Sequence, residues 1–129
     1  MQVLAADFAE RARCSPEEPA VIDASGEHST AELQRAAQAL AGELGEALTG
    51  APTVLVQADN TWRTLAAALA IGQRGGVMVV ISRHATRSEF ELACADVLPD
   101  AVVASDDVLS GWQASGPAFP AHSAVLDGW

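Results

Sequence analysis

The chain has 129 residues, half of them hydrophobic, and its 17 acidic side chains against 7 basic ones leave a formal net charge of -10. That length suits one domain burying roughly two thirds of its unfolded surface and is too small for two. The charge balance lacks the basic stripe that a nucleic-acid partner requires, and no apolar run approaches the roughly 20 residues that span a bilayer.

From the N-terminus, Gln2 to Arg13 spaces Leu4, Phe8 and Ala12 four apart, which predicts a short amphipathic helix ending before Ser15-Pro16. It serves as a cap. Asp7, Glu10 and Arg11 interrupt its apolar pattern, so it does not read as a secretory signal, and a soluble cytoplasmic protein is expected. Pro19 to Asp23 reads as a strand, and the turn composition of Ala24-Ser25-Gly26-Glu27 makes Ala20 to Thr30 a hairpin. Ser29 with Glu32 has capping-box spacing, predicting a helix that presents Leu33, Ala37, Leu40, Leu44 and Leu48 on one face. Gly50-Ala51-Pro52 closes it.

Thr53 to Ala58 is a buried strand candidate, and Asp59-Asn60 are placed to cap the helix that carries Trp62. In that helix Leu65, Ala66, Leu69 and Ala70 recur at helical spacing, and Gly75-Gly76 end it. Val77 to Ile81 is then an unbroken apolar run, which predicts a parallel strand covered on both faces. Thr86 with Glu89 repeats the capping-box spacing, Phe90, Ala93, Cys94 and Val97 line the next helix, and Pro99-Asp100 break it. Ala101 to Ala104 supplies a third core strand, and Ser105-Asp106-Asp107 open a short helix through Leu109 and Trp112. Alternation of strands and helices predicts an α/β fold of three layers, a mostly parallel sheet flanked by helices. We divide it into an α/β unit over residues 1–110 and a tail over residues 111–129, with a last strand possible at Ser123 to Leu126.

Motifs that carry chemistry are sparse. His28, His84 and His122 read as isolated surface or loop residues, without acids or thiols at metal-ligand spacing. Cys14 and Cys94 stand 80 positions apart and read as ordinary reduced thiols. There is no nucleophile elbow, no dinucleotide fingerprint and no phosphate-cradling loop, and Gly75-Gly76 precede a strand instead of following one. We therefore assign no catalytic, cofactor-binding or metal-ligating residue. If the sheet is parallel, a ligand approaches the carboxyl ends of its strands. Asp59-Asn60, Ser82-Arg83-His84 and Ser105-Asp106-Asp107 sit there: Arg83 and His84 suit an anion and the two aspartates a cation, but helix capping accounts for the same residues. Trp62 and Trp112 read as core or interface aromatics. All seven basic residues are arginine, so chemistry that needs a lysine must obtain it from another chain.

The order of segments, PEEPAVIDASGEHSTAELQRAAQALAGEL and then PTVLVQADNTWRTLAAALAIGQRGGVMVVISRHATRSEFELACADVLPDAVVAS, resembles the beginning of the adenylate-forming ligase superfamily. That superfamily comprises acyl-CoA synthetases, fatty-acyl-AMP ligases and nonribosomal-peptide adenylation domains. His28-Ser29-Thr30-Ala31-Glu32-Leu33 resembles the first motif of the family. Ile71 to Ser82 is similar to the next one, with Val80 where the family has Pro and Ser82 where it has Asp. These departures suggest relaxed or specialised geometry at the strand end. The resemblance covers about Phe8 to Ser105 and implies the N-terminal subdomain of such a ligase, truncated before the ATP-binding loop.

The resemblance places the triphosphate loop, the nucleotide site and the catalytic lysine in later segments that this chain does not contain. It implies that the chain alone adenylates nothing and that ATP and Mg act only in an enzyme assembled with a partner. Two classes of function follow. One is the N-terminal subunit of a split ligase, whose larger partner carries the catalytic core and passes an acyl or aminoacyl adenylate to CoA or a carrier protein. The other is a non-enzymatic scaffold or regulatory module. Neither involves nucleic acid or a membrane.

Overall fold

A computed structural model describes residues 2–47, 50–113 and 122–124. Helix α1 (Gln2–Cys14) leads into hairpin β1 (Pro19–Asp23) and β2 (Gly26–Ser29), followed by α2 (Thr30–Ala47). Then β3 (Thr53–Ala58), α3 (Trp62–Gln73), β4 (Val77–Ser82), α4 (Arg87–Val97), β5 (Ala101–Val103), α5 (Asp106–Trp112) and β6 (His122–Ala124) alternate. Leu48 and the residues beyond Ala124 expected to extend the last strand lie outside the described residues.

The hairpin is a two-stranded antiparallel sheet, and the main sheet is parallel in the order β4-β3-β5-β6. The chain moves one way from β3 to β4 and returns across β3 to reach β5. With right-handed crossovers, that reversal sends α3 and α4 to opposite faces. Val54, Val56, Ala101 and Val103 accordingly pack against α2 and α3, through Leu33, Leu40, Leu44 and Ile71 among others. On the other face Leu55 and Val102 pack against Phe90 and Cys94 of α4 and Leu109 and Trp112 of α5. Each fully buried Val or Leu here contributes about 1.5–3 kcal/mol. The three layers are those the apolar patterns predicted.

One strand differs from expectation. The apolar run of β4 is parallel, but β4 lies at the sheet edge, with Val77 58% and Val80 59% exposed. The strands buried on both faces are β3, where Val54, Leu55 and Val56 are each 0% exposed, and β5, where Ala101, Val102 and Val103 are too. An apolar run records a demand for burial and does not say whether this chain meets it. The register of β4 with β3 is regular from Thr53↔Val77 to Ala58↔Ser82.

At the opposite end of the sheet, Asp100 N donates to Thr53 O and Thr53 N donates to Asp100 Oδ2, both at 2.8 Å, which closes the start of β3 against β5. Gly75, at φ +68°, and Gly76 stop α3 as expected: Gly75 N donates to Gly72 O and Gly76 N to Ile71 O, each at 3.0 Å.

Candidate functional site

The reversal of direction between β3 and β5 creates the switch point at which open parallel sheets bind ligands. Here a side chain spans it. Gln57, 1% exposed at the end of β3, accepts hydrogen bonds at Oε1 from Ser105 N at 2.9 Å and Ser105 Oγ at 3.2 Å. Its amide donates to Asp59 Oδ2 at 3.3 Å. Asp59 Oδ1 in turn accepts from Thr61 Oγ1 at 2.6 Å and Thr64 Oγ1 at 3.1 Å. The polar groups at the crevice are thus spent on one another, and the arrangement is a clasp between β3 and the start of α5.

Two expected caps form through their hydroxyls. Thr86 Oγ1 accepts from Glu89 N at 3.2 Å, and Ser105 Oγ accepts from Val108 N at 3.4 Å. The Ser29–Glu32 box is half formed: Ser29 Oγ accepts from Glu32 N at 3.1 Å, but the Glu32 carboxylate turns to His28. The N-cap position of α3 is not Asp59 or Asn60. It is Thr61, which makes no side-chain capping bond, and Trp62 N instead donates to Asp23 Oδ2 at 2.8 Å. That acceptor comes from the hairpin, beyond the reach of local spacing.

The other two segments meet. Arg83, His84 and Arg87, after β4, share an open cleft of about 330 Å³ with Asp107 and Trp112 of α5. Trp112 Nε1 donates to Ala85 O at 2.8 Å and holds this loop against α5. Arg83 and His84 are exposed and suited to an anion, and Asp107 supplies one opposing carboxylate at the rim. Among the described residues no group of three His, Cys, Asp or Glu is placed to hold a metal ion, and no helix is long and apolar enough to cross a membrane. Cys14 is exposed and free, and Cys94 is buried, its thiol pKa pushed up by desolvation. His122 stands opposite Ala101 in the β5–β6 register.

His28 corrects the reading of an isolated histidine. It is 8% exposed, with Nδ1 3.0 Å from Glu32 Oε1 and Nε2 2.8 Å from Ser25 Oγ and 3.3 Å from Asp23 Oδ1. Its ring stacks on Trp62 at 4.9 Å, and the Arg63 guanidinium lies 4.8 Å from the same indole. The cluster pins the hairpin to the N-terminal ends of α2 and α3. The Asp23-Ala24-Ser25-Gly26 turn, a typical Asx-turn sequence, was the available clue, because it folds His28 back toward Asp23.

Glu32 first, then Asp23, hold the His28 pKa above its ordinary value of 6.5, outweighing desolvation. Ser25 and Trp62 N–H hold Asp23 well below the usual carboxylate range, and His28 lowers Glu32. The histidine contribution to stability is therefore complete below pH 6.5 and lost as pH rises through the higher folded pKa. The carboxylate contributions are present above ordinary values of 3.8 and 4.5 and are lost on acidification. The urea midpoint should fall on the alkaline side of pH 6.5 in the wild type, and H28Q should remove that part of the decline. Equal pH profiles for the two proteins would contradict a charged His28.

The family model described as AMP-binding enzyme matches residues 8–126. Among solved structures, VinN in complex with L-aspartate gives a TM-score of 0.75 at 25% identity, covering 92% of this chain and 31% of VinN. Apo MatB from Rhodopseudomonas palustris gives 0.74 at 25% identity, covering 88% of this chain and 24% of MatB. A fatty acyl CoA synthetase from Mycobacterium tuberculosis shares the fold, with a TM-score of 0.78 at 18% identity over 95% of this chain and 26% of that enzyme. The chain thus spans about a third of the length of VinN and less of the other two. No curated protein sequence matches it. The α/β layers agree with the N-terminal subdomain of adenylate-forming ligases, and with a family model that extends from α1 to beyond β6, this chain belongs to the AMP-binding enzyme family.

Proposed function

We propose that this chain is the N-terminal, non-catalytic scaffold of an adenylate-forming ligase whose catalytic core is carried by a larger partner polypeptide. The assembled enzyme activates a carboxylate as its acyl or aminoacyl adenylate, for transfer to CoA or a carrier protein, with the cytoplasm as its compartment. ATP and Mg enter only with the partner. The observation that carries this reading is the match of residues 8–126 to the AMP-binding enzyme family, with the α/β layers of the ligases' N-terminal subdomain. The absence of lysine from all 129 residues also supports it. A carboxylate attacking ATP develops charge on the transferring phosphorus group, which cations and positioned donors must stabilise.

ATP–pyrophosphate exchange on the purified chain tests the proposal. The acid panel includes L-aspartate and 3-methylaspartate, with which VinN forms complexes, together with benzoate and fatty acids, after the similar benzoate CoA ligase and fatty acyl CoA synthetase. Exchange should stay at background for the chain alone and appear when it is mixed with a ligase polypeptide lacking this segment. Substrate-dependent exchange by the chain alone would sink the proposal. Full activity of the partner without this chain would assign it a scaffolding or regulatory part instead.

A further inference from the structure

Charge along this chain is segregated. From Thr61 to Ser88 it carries Arg63, Arg74, Arg83 and Arg87 with no Asp or Glu, while all 17 acidic residues lie outside that stretch. The fold turns this basic segment into α3, β4 and the loop into α4, and β4 is the edge of the parallel sheet. Among the described residues, one side of β4 has no strand partner, so backbone N–H and C=O groups along it face outward.

Edges are ordinarily blunted by charged side chains or proline within the strand. Strand β4 reads VMVVIS and contains neither, and Val77 and Val80 are 58% and 59% exposed. Just past its end, Arg83, His84 and Arg87 line the cleft beside α5. Neither Arg83 nor Arg87 is ion-paired among the described residues. The strand is apolar and unblunted, and the cations past its end form no ion pair among the described residues, although Arg87 Nε donates to Gly111 O at 3.4 Å and Asp107 shares their cleft. One occupant fits both features.

We propose that the open edge of β4 is a docking site for an extended acidic segment of the partner polypeptide, which joins the sheet as a strand and sets its carboxylates against Arg83, His84 and Arg87. The identity of the partner rests on the split-ligase reading, whereas the chemistry of the edge stands on the charge and exposure just described. Main-chain hydrogen bonds supply affinity in such strand addition, and the side chains on alternate positions supply register. A second copy of this chain is disfavoured as the occupant, because pairing β4 with β4 brings two basic segments together.

The test uses the whole 129-residue protein and a synthetic peptide of alternating Val and Thr ending in Glu-Asp-Glu. Amide NMR should show shifts confined to Val77–Ser82 and Arg83–Arg87. The double reversal R83E/R87E should weaken binding by about tenfold at low salt and abolish its salt dependence. V80E, at an exposed edge position, should weaken it too. Both variants should melt as the wild type does, because these side chains are exposed. A peptide ending in Lys-Lys-Lys should not bind. Absence of binding, shifts on other elements, or indifference to R83E/R87E would overturn the proposal, as would self-association lost in V80E. If the peptide binds as described and no partner restores ligase activity, the split-ligase reading fails while the docking edge stands.

Discussion

Gly76→Ala should destabilise the protein by about 3 kcal/mol, the upper end of the usual range for overpacking. A Cβ at this position would lie 2.4 Å from Pro52 O and 3.0 Å from Ile71 Cγ2. The first of these is backbone, and Pro52 O already accepts Val77 N at 2.8 Å, so it cannot retreat without loosening the start of the β3–β4 pairing. A fall in melting temperature on the order of 10 °C is expected, followed by circular dichroism. Gly75→Ala is the informative neighbour. Its space is open apart from the Gln2 amide at 3.4 Å, and its cost comes from φ +68°, about 1–2 kcal/mol. If Gly75→Ala proved the worse of the two, conformational freedom and not close approach would govern this junction.

Trp112→Ala should be comparably damaging, at about 3–5 kcal/mol. Trp112 is 2% exposed, lies nearly parallel to Phe90 at a centroid distance of 4.8 Å, and donates to Ala85 O at 2.8 Å. Removing it opens a cavity on the α4–α5 face and frees the loop that carries Arg83 and His84. Trp112→Phe separates the two parts. It retains an aromatic ring against Phe90 but leaves Ala85 O without its donor, which should cost about 1–3 kcal/mol. Urea unfolding monitored by far-UV circular dichroism would rank the variants, and an alanine variant as stable as the phenylalanine one would show that packing in this layer is slack.

Both predictions concern elements whose place was legible beforehand. The spacing of Leu33, Ala37, Leu40 and Leu44 marked one buried face of α2, and all four are buried. Gly75-Gly76 marked the end of α3, and Thr86 and Ser105 marked helix starts, because a cap is satisfied within three residues of itself. The site was less legible. His28 looked isolated because Asp23 and Glu32 reach it only once the hairpin has turned and α2 has begun. Asp59 looked like a cap, but Trp62 N finds its acceptor in Asp23, 39 positions away. Local spacing cannot choose between two acceptors when one of them is delivered by another element.

The sequence by itself determined the alternation of strands and helices, their apolar faces and the parallel sense of the sheet, because these follow from periodicity and from short-range hydrogen bonding. It also determined the charge segregation around β4. Only the tertiary structure decided that β4 is an edge strand and β3 an inner one, that Gln57 spans the switch point, and that Arg83, His84 and Arg87 gather in a cleft against α5. Strand order is a property of which elements pack together across the core, and an apolar strand carries the same pattern whether its neighbour belongs to its own chain or to another.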